Sequence, residues 1–203
     1  MNDRKVASRE YYDKLAPNYD QHSHARHLEA LYAELIETAD GWGVSSVLDV
    51  GCGTGSLLEL LRRRGVKVAG ADISPRMIER ARKRLGEDVD LRVADSEGLP
   101  WEDASFSLVV CVGSLHHYPN PLKALSEMRR VLRSDGHVMI VDPTLPPVVR
   151  QLANAFIRFS REGATRLYSE MEIHRMLTEV GFEETARLDV DSSAIVMVAS
   201  ANK

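Results

Sequence analysis

Apolar positions along the chain follow two rhythms. Short runs, continuous or alternating every second residue, occur at 47–50, 66–71, 89–93, 106–112 and 137–141, and again near 182–190 and 194–199. Runs of this length and β-branched content predict strands. Between them the apolar residues recur at helical spacing: Leu28, Leu31, Tyr32, Leu35 and Ile36; Leu57, Leu58 and Leu61; Met77, Ile78, Ala81 and Leu85; then Leu122, Leu125, Met128 and Leu132. Two later stripes are Val148, Val149, Leu152, Phe156 and Phe159, and Ile173, Met176, Leu177 and Val180. Strands alternating with helices predict an α/β fold around a mainly parallel sheet. Val109-Val110-Cys111-Val112, apolar on both sides, marks the fourth strand as a central one.

Local signals fix the ends of these elements. Ser74 followed by Pro75 opens one helix, and Gly86 stops it. Asn120 with Pro121 opens the next, which the Ser134-Asp135-Gly136 turn is expected to end. Ser169 with Glu172 forms a capping box for the last helix, stopped by Gly181. Residues 1–22 are polar and aromatic, and Ala16-Pro17-Asn18 interrupts any single helix there. With the stripe from Leu28 to Ile36 they form a helical arm, expected to cap the sheet.

Composition narrows the class of protein. A chain of 203 residues with 44% hydrophobic and 28% charged residues fits one globular domain. Its net charge of -4 gives no overall attraction to nucleic acid or anionic lipid. No apolar run approaches the roughly 18 residues of a membrane span, and the first five residues lack the apolar core of a signal peptide. A cytoplasmic protein with no membrane span is the expectation. Cys52 and Cys111 have neither zinc spacing nor a secreted context, and are read as free thiols. His22, His24 and His27 lie close in sequence, but no carboxylate or cysteine frames them. A solvated helix start accounts for them, and no metal is expected. The basic groups at 62–64, 80–84 and 129–133 are read as solvated outer helix faces rather than a nucleic-acid site.

The chemistry starts at Asp49-Val50-Gly51-Cys52-Gly53-Thr54-Gly55, between the first strand and its helix. Alternate glycines strip the Cβ atoms from one face of this turn, so backbone can approach a ligand closely. The first N–H groups of the following helix then favour a negative group. A dinucleotide site wants G-x-G-x-x-G, but here the third glycine comes one residue early and Ser56 takes its place. Asp72 ends the second strand about 20 residues after the loop, placed to accept hydrogen bonds from both hydroxyls of a ribose. Other polar residues gather at the ends of later strands: Asp95 after the third, His116 and His117 after the fourth, Asp142 after the fifth. In an open parallel sheet that edge is where ligands bind.

D-x-G-x-G-x-G resembles motif I of the class I S-adenosylmethionine-dependent methyltransferases, and the order of motifs resembles that family over nearly the whole chain. Residues 11–20, with Tyr11, Tyr12 and Tyr19, look like the N-terminal element of its ubiquinone-biosynthesis-type, small-molecule branch. The resemblance implies a Rossmann-like, doubly wound, seven-stranded sheet in the order 3-2-1-4-5-7-6, with the last strand antiparallel and helices on both faces. It implies one domain over residues 1–203: a cap at 1–40, a cofactor-binding core at 41–142, and acceptor-side helices with the last two strands at 143–203. The cofactor would be S-adenosylmethionine, leaving as S-adenosylhomocysteine. Its implied contacts are Tyr19, Asp49, Gly51, Cys52, Gly53, Gly55, Asp72, Ile73, Met77, Ala94, Asp95, Ser96 and Val112, with Asp95 receiving the adenine amino group.

Methyl transfer is an in-line displacement, so alignment of donor and acceptor carries most of the rate. A hydroxyl acceptor also needs a base, and one of His116 and His117, paired with Asp142, suits that task at neutral pH. A similar His-His and Asp occur in sugar and natural-product O-methyltransferases of this clan. The motifs of base-amine and pyrimidine methylation are missing, which leaves a small-molecule acceptor, with oxygen ahead of nitrogen or carbon. The short apolar segment between Asp142 and Tyr168 implies an open acceptor pocket, or one completed by another subunit or carrier. Monomer and homodimer both remain open. The competing reading is a catalytically idle protein of the same fold that binds the cofactor as sensor or scaffold, and turnover separates the two.

Overall fold

The computed structural model describes residues 3–188 and 194–201, leaving out the side chains of residues 23–25, 27, 28, 158, 184 and 185. The chain opens with α1 (Asp3–Leu15), which Pro17 terminates in a 3-10 turn (Ala16–Gln21), and continues into α2 (Ser23–Gly41). Then follow β1 (Ser46–Val50), α3 (Ser56–Arg62), β2 (Lys67–Asp72), α4 (Pro75–Leu85), β3 (Asp90–Val93) and β4 (Phe106–Val112). The second half runs α5 (Pro121–Val131), β5 (Leu132–Pro143), α6 (Pro147–Phe156), α7 (Glu170–Glu179), β6 (Glu183–Leu188) and β7 (Ala194–Ser200). The expected strand near 182–190 thus extends past β6 onto residues 189 and 190, which lie outside the described residues.

These strands form one sheet in the order β3-β2-β1-β4-β5-β7-β6. β1 to β5 pair in parallel, and β7 is antiparallel to both its neighbours. The order and the antiparallel last strand agree with expectation. Alternate residues of the same strands feed two apolar layers. Val47, Leu108, Val110, Met139, Val196 and Val198 face α2, α3 and α4, whereas Leu48, Val109, Cys111, Ile140, Ile195 and Met197 face α5 and α7. Both faces are covered, which is why the central strands read as continuous apolar runs.

Three local signals act as expected. The Ser74 hydroxyl accepts the Met77 N–H at 3.1 Å, Asn120 Oδ1 accepts the Lys123 N–H at 3.3 Å, and Ser169 and Glu172 close a capping box. One boundary differs. The helix does not run on to the turn at 134–136, because α5 stops at Val131 and Leu132 already has extended φ and ψ. Leu132 pairs with Phe106 across a register shift that breaks the ladder before Leu108 meets His137. The residues between Leu132 and His137 therefore belong to an irregular strand start.

Candidate active site

β1 carries Asp49 and Val50 into a turn whose glycines each meet a different demand. Gly51 has φ +88°, and a Cβ there would stand 2.5 Å from Ser114 Oγ. Only glycine lets this turn pass under the loop after β4. The Ser114 hydroxyl donates to the Val50 carbonyl at 2.9 Å, and the Tyr118 hydroxyl donates to the same oxygen at 3.1 Å. At Gly55 a Cβ would come 2.9 Å from Leu85 Cδ1, so the third glycine lets α3 close on α4.

The turn is tied to the end of β2. Asp72 accepts the Gly53 N–H at 2.9 Å on Oδ2 and the Ser74 N–H at 2.8 Å on Oδ1. Burial lifts its pKa to about 6, while those two N–H bonds work to hold it down. Asp49 is pushed up to about 8, chiefly by burial and then by the neighbouring Asp72 charge. Its Oδ1 is buried without a hydrogen-bond partner among the described residues. A buried carboxylate with an unused oxygen suits a cationic or hydrogen-bond-donating ligand.

The arm closes over this edge. Lys5 Nζ reaches Asp95 Oδ2 at 2.7 Å and Glu97 Oε1 at 2.8 Å. Burial works against the Lys5 ammonium, but hydrogen bonds to the two carboxylates outweigh it and its pKa is raised. Asp13 accepts the Ser74 hydroxyl at 2.6 Å. Asp20 accepts the Thr54 hydroxyl at 2.6 Å and pairs with Arg84 at 2.7 Å. Arg84 therefore departs from the expectation of a solvated basic face, since it also donates to Ser56 and to the Thr54 carbonyl and ties α4 to the glycine turn and the arm.

Most of the residues singled out in the sequence meet in one cavity at this edge. Tyr19, Gly51 and Gly53 line it on one side, with Asp72, Ile73 and Met77 beside them. Ala94, Asp95 and Ser96 form a further part of the wall, and Val112 and His117 complete it. The ring of Tyr19 lies over the glycine turn, 3.6 Å from where a Gly53 Cβ would stand. Asp49, Cys52, Gly55, His116 and Asp142 are not among the residues that line it. Cys52 and Cys111 are both free and buried. Burial raises the Cys52 thiol well above its ordinary pKa and Cys111 to about 12, so neither is a ready thiolate. Among the described residues no cluster of His, Cys, Asp and Glu is placed to hold a metal; the side chains of His24 and His27 lie outside them.

The loop after β4 brings the two histidines to the end of β5. His116 Nδ1 lies 2.9 Å from Asp142 Oδ1, and both residues are buried. The His116 and His117 rings are 4.0 Å apart, and Tyr12 Oη stands 2.9 Å from His117 Nε2. Lys5 carries no signal in the sequence, and Tyr12 stands there only as part of the N-terminal element, without a site role. Each meets a partner about 100 residues away, and α1 carries too polar a pattern to show which face it buries.

Comparison with known proteins agrees with this geometry. The methyltransferase domain family matches residues 48–140. The ubiquinone/menaquinone biosynthesis C-methyltransferase UbiE of Citrifermentans bemidjiense is 30% identical over 175 residues, covering 73% of this chain and 74% of that protein. The 27-O-demethylrifamycin SV methyltransferase of Amycolatopsis mediterranei is 36% identical over 152 residues, 71% of this chain and 56% of the relative. Among solved structures, the PH0226 protein of Pyrococcus horikoshii superposes with a TM-score of 0.73 at 22% identity, over 94% of this chain and 98% of that one. Sheet order, glycine turn and relatives together define a class I S-adenosylmethionine-dependent methyltransferase fold. The chain belongs to that family, in its UbiE-like part, and is an enzyme of the methyltransferase class. S-adenosylmethionine is the methyl donor that membership implies, and the donor set fits it: acids for hydroxyl and amino groups, an apolar wall, and a turn stripped of Cβ atoms.

Proposed function

We propose that the chain methylates an oxygen atom of a small-molecule acceptor, with a histidine as base. S-adenosylmethionine supplies a methyl group on a sulfonium sulfur, open to in-line displacement. Asp72 would accept the ribose hydroxyls, and Asp95, between Ala94 and Ser96, the adenine amino group. Asp49 would face the amino-acid end, Tyr19 would cover it, and Ile73, Met77 and Val112 would pack the apolar parts. Cys52 and the glycines at 51, 53 and 55 shape the turn. The residues' main task is to hold donor and acceptor in line in a site shielded from water, which is worth about 7–11 kcal/mol of barrier when orientation is good.

The observation that carries the base is the buried contact of His116 with Asp142, directly behind the cavity-lining His117. Asp142 beside Nδ1 would steady a charged His116, and His117 is the histidine that stands in the cavity wall. His117, held by Tyr12, would orient the acceptor. A carbon acceptor is the second reading, favoured by the identity to a C-methyltransferase. The same base acting on a phenol would generate a nucleophilic ring carbon as well as an oxygen.

Purified protein incubated with S-adenosylmethionine and a mixed metabolite extract should give S-adenosylhomocysteine and a mass-spectrometric feature heavier by one methyl group. Transfer to nitrogen or carbon in that product overturns the oxygen assignment. Separate His116→Ala and His117→Ala variants that both keep normal turnover across pH remove the base.

A further inference from the structure

α6 presents its apolar side away from the body of the molecule. Val148, Val149, Leu152 and Phe156 fall on one side of this helix, and Phe159 continues the stripe from the turn that follows. Their exposures are 71%, 48%, 60%, 68% and 69%, and α6 buries none of its residues. The orientation is fixed from the opposite side. Asn154 Nδ2 donates to the Leu167 carbonyl at 2.9 Å, and its Oδ1 accepts the Leu167 N–H at 2.8 Å. This clasp ties the polar flank to the body and turns the apolar flank outward. A contiguous apolar stripe of this kind on a water-soluble surface marks an interaction site.

Charge selects the occupant. Residues 143–162 contain three arginines, Arg150, Arg158 and Arg161, and one acid, Glu162, whose carboxylate accepts the Tyr11 hydroxyl, whereas the whole chain carries -4. A second copy docked on the same stripe would bring the same positive charge against it. An anionic lipid surface offers both an apolar layer for Val148, Leu152, Phe156 and Phe159 and phosphate oxygens for Arg150 and Arg161. α6 itself carries one arginine, Arg150, and Arg161 follows beyond the turn; an apolar helix face flanked by basic residues is a form that lies in such an interface. From these observations we propose that α6 and the turn after it dock the protein on anionic membrane surfaces, without spanning them. α6 follows Asp142 by a few residues, so docking brings the cavity edge close to the lipid. The inference does not depend on which atom is methylated, and binding is read separately from turnover.

Flotation of the full chain with vesicles of phosphatidylcholine alone, and of phosphatidylcholine mixed with phosphatidylglycerol, tests this. Binding is expected on the mixed vesicles only, weakening as salt is raised. Leu152→Asp and Phe156→Asp should each lower binding by at least about tenfold, while melting and S-adenosylhomocysteine binding stay as in the parent. These side chains are exposed, so folding is not at stake. No flotation on either vesicle, or flotation that both variants retain, overturns the proposal. Equal binding to both vesicles overturns the choice of an anionic surface. A concentration-dependent dimer in analytical ultracentrifugation that Phe156→Asp abolishes, with no flotation, assigns the stripe to a second copy instead.

Discussion

Tyr12 and His117 meet at 2.9 Å, joining the first helix of the chain to the loop after the central strand β4. Burial, followed by the charges of Tyr19, Glu162 and Asp72, pushes the Tyr12 phenol well above its ordinary pKa, so it stays protonated and can donate to Nε2. Tyr12→Phe removes that hydrogen bond and little else. Turnover is expected to fall about fivefold, in line with one lost hydrogen bond of about 1 kcal/mol. S-adenosylhomocysteine affinity, measured by calorimetry, should change by less than about twofold, because in the proposed mechanism the bond serves the acceptor side. Unchanged turnover would show that the contact only packs the arm.

Asp142→Asn tests the second pair. An asparagine oxygen can still accept from His116 Nδ1, so geometry survives while the charge that stabilises an imidazolium is lost. Turnover is expected to drop about 10²–10⁴-fold, the usual contribution of a general base, with cofactor affinity retained. A variant that turns over normally leaves the pair with a structural role alone.

Asp49 predicts an unusual pH dependence. Its carboxyl has a pKa near 8 in the folded chain, against about 3.9 when unfolded. Between those values the native state holds the extra proton, so this group makes stability fall as pH rises from about 4 to about 8. Asp49→Asn removes the effect. The ligand-free variant should melt higher than the parent at pH 8 and no higher at pH 4, and it should bind S-adenosylhomocysteine more weakly. For the parent, a cationic amino group beside Asp49 favours the ionised form, so affinity should rise with pH up to about 8 with release of a proton. Calorimetry in buffers of different ionisation enthalpy reads that proton directly.

Gly51→Ala places a methyl group against Ser114 at a backbone φ of +88°. Crowding and strain together should cost about 2–4 kcal/mol. Denaturant unfolding measures the loss, and thermal-shift stabilisation by S-adenosylhomocysteine should largely disappear. Gly65→Ala is the control: φ is +81°, but nothing lies within 4 Å of the added carbon, so only the strain is paid.

Much of this molecule is legible in the residues because its signals are local. Gly51, Gly53 and Gly55 announce a turn, Ser74 with Pro75 a helix start, and Asp72, Asp95, His116, His117 and Asp142 each stand at a strand end. Parallel pairing then brings those ends to one edge. The arm is different. Lys5 and Tyr12 sit in a helix whose polar pattern names no buried face, and their partners Asp95 and His117 become neighbours only when the sheet is complete. Leu132 reads as helical in the sequence because a place on the helix stripe and a place beside its strand partner, Phe106, call for the same apolar residue. The outward stripe of α6 was visible as a stripe, but its direction is set by Asn154 and Leu167, which sequence spacing does not connect.

The contacts from Lys5 to Asp95, from Asp13 to Ser74 and from Asp20 to Thr54 and Arg84 share a property. Each ends on the glycine turn, on α4 or on the strand ends that frame the cavity, and α1 itself buries only Ser8. α2 is anchored by Leu31, Leu35, Ile36 and Ala39 in the core, whereas α1 and the 3-10 turn after it owe their place largely to the same groups that a bound cofactor would steady. Reciprocity follows: the factor by which a bound cofactor favours the closed arm is the factor by which a closed arm raises cofactor affinity, so a substitution or salt condition that loosens the arm weakens binding by up to that factor.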